Sequence, residues 1–262
     1  MISHDQFDQF AAAGHTRIPL VREVFSDLDT PLSVYQKLAD GPYTFLLESV
    51  ESGASWGRHS IIGLPARRVF KLRGHTLETE DFGEVIESRE VADPLAEIEI
   101  LRQRYDVPRL PGLPAFSGGL VGYFGFETIG YIEPRLAQWD RADDLDTPDV
   151  LLMLAEEVAV FDNLKGRLYL IVHADPSQPQ AWTRACRRLD ELAFRLRRSG
   201  STFPNTETPA PRDDPVLNPS LTRPEFDERR ARHRIYTRAR DILHVVPSPR
   251  LRVPSHSRPV PV

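Results

Sequence analysis

The run Tyr43-Thr44-Phe45-Leu46-Leu47-Glu48-Ser49 carries apolar side chains up to Leu47 and then stops on a carboxylate and a hydroxyl. A carboxylate accepts hydrogen bonds from an ammonium group, and a hydroxyl can donate or accept. The pair could therefore close the rim of a small-molecule pocket; in the alternative, the strand simply surfaces there. Gly118, Gly119, Gly122 and Gly125 could suggest a phosphate loop. Their spacing fits neither G-x-G-x-x-G nor a P-loop, and no Lys-Ser/Thr follows. They read instead as places where one strand crosses closely against another. Glu156-Glu157 could be an acid/base pair, but neighbours on a strand point to opposite faces, so the two are not expected to converge. Asp143-Asp144 sits in a polar loop and reads as solvated. The eight histidines are scattered, with no pair at helical spacing, so no zinc site is expected. Cys186, in the helical stretch QAWTRACRRLDELAFRL, reads as a packed small residue and not a nucleophile. There is no Gly-x-Ser-x-Gly elbow. These residues alone make neither a catalytic constellation nor a metal site.

The elements that must position such groups are legible in outline. Ser3 with Gln6 forms a capping box for a short helix that Gly14 ends. Thr30 and Pro31 open a second helix. Short runs rich in β-branched or aromatic residues follow: YTFLLES, GRHSIIG, ARRVFKLRG, HTLETED and EVIESREV. Turns at Gly53, Gly63-Leu64-Pro65, Gly74 and Gly83 separate them, and the close spacing favours antiparallel meanders over βαβ units. Asp93 caps a helix begun by Pro94, with Leu95, Ile98, Leu101 and Arg102 on one face. A proline-rich connector leads to GGLVGYFGFETI, a strand running into a turn or short helix. The stretch from Asp149 to Asp175 reads as a hairpin, two long β-rich arms around Asp162-Asn163-Leu164-Lys165-Gly166. Gln178 to Arg198 is a long amphipathic helix. The expected class is α+β: antiparallel sheets with flanking helices.

Composition sets outer bounds. The chain has 262 residues, 40% hydrophobic and 27% charged, which is ordinary for a soluble globular protein. The net charge of -5 argues against a nucleic-acid partner. The N-terminus lacks the pattern of a signal peptide. The longest apolar run, Val150 to Ala155, is too short to span a bilayer. A cytoplasmic protein with no membrane partner is expected. Residues 200–219 are polar and proline-rich and read as a linker. The expected division is a body at 1–199, the linker, and a second domain that starts at 220 and runs to 262.

Taken in order, YTFLLES, WGRHSIIG, SGGLVGYFGFETIGYIE, DVLLMLAEEVAVFDN and RDILHVVPSPRLRVP resemble component I of anthranilate synthase, of the chorismate-utilising enzyme family. The resemblance covers roughly residues 15 to 260. It implies a mixed α/β scaffold that holds the feedback inhibitor tryptophan, with chorismate and Mg²⁺ bound mainly by a second half. The LLES motif falls on Leu46, Leu47, Glu48 and Ser49, so the implied tryptophan-site residues are Leu47, Glu48 and Ser49. A glutamine amidotransferase partner supplying ammonia is implied as well. Aminodeoxychorismate synthase component I shares the expected fold, and a non-catalytic tryptophan-binding module is a further reading.

The pattern departs from the family toward the end. The family continues for roughly as long again, so the resemblance implies an incomplete second half, and neither catalytic residues nor Mg²⁺ ligands are expected within this chain. Thr222 and Glu225 make a capping box, but the stripe Phe226, Arg230, His233, Thr237 has little to bury. Arg240 stands at the family's glycine, and His244 and Pro249 stand at its glutamines. His59 stands where tyrosine is usual.

Overall fold

The computed structural model describes residues 2–25, 29–48, 57–137, 145–198, 218–247 and 249–253. The chain divides into two compact units, Met1–Ser201 and Thr202–Val262. In the first unit the described strands are β1 (Ile18–Phe25), β2 (Phe45–Glu48), β3 (His59–Gly63), β4 (Arg68–Arg73), β5 (Thr76–Asp81), β6 (Glu84–Glu90), β7 (Gly119–Phe124), β8 (Val150–Ala155), β9 (Glu157–Asp162) and β10 (Arg167–Ala174). Its helices are α1 (His4–Ala12), α2 (Pro31–Leu38), α3 (Pro94–Gln103), the one-turn α4 (Ile129–Ile132) and α5 (Ala181–Arg197).

The strands form two five-stranded sheets, ordered β1-β10-β9-β3-β2 and β6-β5-β4-β8-β7. Every pairing within them is antiparallel, as the short spacing of the strands requires. The α+β expectation holds. Helices α1, α2 and α5 cover one face of the first sheet: Val34, Leu38, Leu189 and Leu192 pack on Ile18, Leu20, Ile62 and Leu170. Each such buried aliphatic side chain contributes about 1.5–3 kcal/mol relative to exposure. The opposite face gathers Val158, Val160, Tyr169 and Ile171 with Phe45, Ile61, Phe116 and Val121. The second sheet packs Phe70, Leu72, Leu77, Leu152 and Leu154 against Leu101 and Ile98 of α3.

Local signals place the helix starts where the sequence puts them. Ser3 and Gln6 form a reciprocal capping box at α1, and Thr30 with Ser33 does the same at α2. The Asp93 carboxylate accepts from the N–H groups of Leu95 and Ala96. Gly122 fits the close-crossing reading, since a Cβ there would fall 1.8 Å from the Leu151 carbonyl oxygen, whereas a Cβ at Gly119 would meet nothing closer than 3.9 Å.

Three expectations need correction. The run 150–162 is not one hairpin arm. It breaks at Glu156, so β8 joins the second sheet and β9 the first. Both halves are apolar on both faces, so no change of period marks the break. The hairpin proper is β9–β10, where the Asp162 carboxylate accepts from the N–H groups of Leu164 and Lys165. In the run 43–49, the strand starts only at Phe45, because Tyr43 adopts φ +56°. Arg102 leaves the apolar face of α3 and pairs with Glu99 on the exposed side.

In the second unit, α6 (Arg223–Ala239) starts at the Thr222–Glu225 capping box and buries none of its residues. Arg240 ends it in the left-handed conformation, φ +64°. A two-residue β11 (Asn218–Pro219) pairs with β12 (Leu251–Arg252).

Candidate functional site

Among the described strands β2 lies at the edge of the first sheet and pairs with β3 alone, in the register Phe45↔Gly63, Leu46↔Ile62, Leu47↔Ile61 and Glu48↔Ser60. Gly63 is required there, because a Cβ would fall 2.0 Å from Cε1 of Phe45, whose ring lies across the glycine. Alternation then assigns the faces. Leu46 packs into the helix-covered core, and Phe45 into the opposite cluster. Leu47 shares the Phe45 side and is 50% exposed. Glu48 shares the Leu46 side and is also exposed. The two side chains thus leave the strand in opposite directions, and only a ligand set against the strand's free edge or its end could touch both. Ser49, the third residue of the expected site, lies outside the described residues.

The entry to β2 is held by a group of side chains that sequence reasoning missed. The Tyr43 hydroxyl donates to Glu80 Oε2 at 3.0 Å. Lys71 pairs with the same buried carboxylate, and its ammonium sits 5.5 Å from the Tyr43 ring centroid. Burial works to lower the Lys71 pKa, but the Glu80 and Tyr43 contacts outweigh it and hold the value above the ordinary one. Three segments, a turn and two strands of the second sheet, meet here, and no local spacing announces it. The far end of β3 is pinned by Asp162, which Arg58 grips with Nη2 at 2.7 Å and Nε at 3.2 Å. The Arg58 hydrogen bonds, opposed by burial and helped by the Lys165 N–H, hold the Asp162 pKa below its usual range.

Glu156 and Glu157, expected to diverge, line one cleft of about 460 Å³. Because the chain changes sheets at Glu156, strand alternation does not apply across the pair. Glu156 Oε1 accepts from Arg17 Nε at 2.6 Å, and Glu157 is gripped by Arg188 with Nη2 at 2.8 Å. Both carboxylates are therefore paired ions rather than an acid/base couple. A neighbouring cleft of about 440 Å³ shares Arg17, Arg68 and Asp175 with the first. Neither cleft includes Leu47 or Glu48. Among the described residues no group of three or more His, Cys, Asp or Glu side chains could hold a metal ion. No described helix is long and apolar enough to cross a membrane. Cys186 is half-buried against the helix-side core, and burial pushes its thiol pKa up, away from nucleophilic chemistry.

Two antiparallel sheets that share the run 150–162, with helices packed on them, make an α+β scaffold. Residues 66–262 match the family described as chorismate binding enzyme, and the chain belongs to that family. The match runs through both compact units. The chain is 44% identical over 260 residues to anthranilate synthase component 1 of Pseudomonas aeruginosa, an alignment covering 99% of this chain and 53% of that protein. It is 50% identical over 202 residues to anthranilate synthase component 1 of Neisseria meningitidis serogroup C, covering 76% of this chain and 41% of the relative. The crystal structure of anthranilate synthase component I from Streptococcus pneumoniae TIGR4 superposes with a TM-score of 0.53 at 24% identity, over 83% of this chain and 46% of that one. At that identity the likeness concerns the fold. The chain spans about half the length of the curated relatives it matches.

Proposed function

We propose that the chain is the N-terminal part of an anthranilate synthase component I, with a body at 1–199, a linker at 200–219 and the start of a further domain at 220–262. The observation that carries this reading is the 44% identity that extends over 260 residues. The proposed reaction adds ammonia to the chorismate ring with loss of a hydroxyl and then eliminates pyruvate. Mg²⁺ would be held by residues that this chain does not supply, and a glutamine amidotransferase would deliver the ammonia.

On this reading the end of β2 contributes to a tryptophan site. Leu47 offers apolar surface to an indole, Glu48 an acceptor for an ammonium, and Ser49 a hydroxyl. The ligand would lie along the edge of β2, where side chains from both faces and the unpaired strand backbone can be reached together.

The test joins this chain to the remaining part of the Pseudomonas aeruginosa relative and follows anthranilate fluorescence with chorismate, ammonia and Mg²⁺. The joined protein should form anthranilate, and added tryptophan should suppress it; the 262-residue chain alone should form none. Tryptophan binding by the chain without activity of the joined protein would leave only a binding module.

A further inference from the structure

The cleft beside Glu156 has a feature that its ion pairs do not use. Its lining includes Ala181 and Arg184 from the start of α5, a 17-residue helix whose N-cap, Gln180, makes no side-chain cap and sits at φ +54°. The N–H groups of Ala181, Trp182 and Thr183 have no acceptor among the described residues, and the first turn carries no acidic residue. Such an end bears a partial positive charge and free N–H donors directed along the helix axis, and Ala181, the first of the three, lines the cleft.

A second observation comes from the sheet opposite. His173, at the end of β10, lines the same cleft, and its Nε2 is buried without a hydrogen-bond partner. The Gly118 loop closes over the ring: a Cβ at Gly118, φ +142°, would fall 2.3 Å from His173 Cε1. Burial, with a smaller push from Arg17, lowers the imidazole pKa to about 4, so at neutral pH the ring is uncharged. In the tautomer with the proton on Nε2 it is a buried donor with nothing to donate to, an arrangement folded proteins normally avoid.

The charges around the cleft are mostly answered. Arg17 is held by Glu156 and Asp175, Arg188 by Glu157 and Glu191, and Arg67 and Arg68 by Asp81. Arg184 is the exception. It lines the cleft on the first exposed turn of α5, and no carboxylate pairs with it among the described residues. The geometry points to a phosphate-binding site here, taking inorganic phosphate or the phosphate group of a small metabolite. The oxyanion would sit on the α5 N-terminus, accept from His173 Nε2 and pair with Arg184. At about 460 Å³ the cleft has room for a small organic group beyond the phosphate. This site is separate from the end of β2 and does not depend on the proposed chorismate chemistry.

The experiment titrates the 262-residue chain with inorganic phosphate at constant ionic strength, following backbone amide and histidine ring signals by NMR. Saturable shifts are expected at Ala181, Trp182, Thr183 and His173, and the His173 titration should move upward from its low value. Arg184→Glu should weaken binding at least tenfold, and His173→Leu should weaken it while His173→Gln, which keeps a donor, recovers part of the loss. Should His173→Leu fail to fold, the exposed Arg184→Glu variant decides alone. Glycerol 3-phosphate binding more tightly than phosphate would identify a phosphorylated metabolite as the ligand class; equal affinity would identify the free ion. Absent saturable shifts at the three amides, an Arg184→Glu variant that binds like the parent, or acetate binding as well as phosphate would each overturn the proposal.

Discussion

At the scale of single residues, two positions carry distinct expectations. In the joined enzyme described above, Ser49→Leu should weaken inhibition by tryptophan. Loss of one buried hydrogen bond costs roughly 1–3 kcal/mol, about 5- to 150-fold in affinity. Turnover without tryptophan should persist, because the reacting groups lie elsewhere. An unchanged inhibition curve would return the LLES segment to a plain strand end. Asp162 is a stability residue. It is 2% exposed, gripped by Arg58 and capped by two backbone N–H groups. Asp162→Asn should destabilise the chain by about 1–3 kcal/mol at pH 7, a figure kept low because Arg58 is itself half in solvent. The pH dependence follows from the depressed pKa of the folded state. The charged form stabilises the fold above the unfolded carboxylate value of about 3.9, and that contribution is lost as pH falls through the lower folded value. Urea unfolding of both proteins should show the gap closing below about pH 4. A gap that stays constant down to pH 2 would remove the ion pair as its cause.

At the scale of elements, helix starts and strand alternation were legible because each depends on neighbours in sequence. Thr222 with Glu225 and Asp93 with Pro94 are such cases, and so is the division of Leu46 and Leu47 between two faces of β2. The break at Glu156 was not legible. It depends on which sheet each half joins, and the apolar residues on both sides satisfy either reading. The consequence was a missed cleft, which Glu156 and Glu157 line together because the strand breaks at Glu156. Tyr43, Lys71 and Glu80 were hidden for the same reason, being brought together by sheet pairing and not by spacing. The end of α6 is an element whose termination conflicts with its residue. Arg240 holds φ +64°, ψ +21°, a conformation that disfavours a Cβ by about 1–2 kcal/mol. The family resemblance implies glycine at this position. Arg240→Gly relieves that strain and gives back part of it as unfolded-state entropy, a net gain of about 0.5–1 kcal/mol. Amide exchange in the last turns of α6 should slow by about 2- to 5-fold. Faster exchange in the glycine variant would mean that the Arg240 side chain, and not the backbone, secures the helix end.

At the scale of the whole molecule, the core is unevenly distributed along the chain. The buried hydrophobic side chains among the described residues run from Phe7 to Leu196, whereas α6 buries none. Each compact unit must stabilise itself by what it removes from water. The first unit joins its two sheets through the continuous run 150–162, so strand pairing in one constrains the other and the pair should unfold together. The proposed body at 1–199 is therefore expected to fold when expressed without the rest. It should show one cooperative thermal transition, with a midpoint within about 2–4 °C of the full chain's main transition. For a domain of this size that interval corresponds to about 1 kcal/mol of stability. Calorimetry of both proteins measures this directly. A broad or missing transition in the shorter chain would show that residues beyond 199 complete the core, and the proposed boundary would then have to move toward the C-terminus.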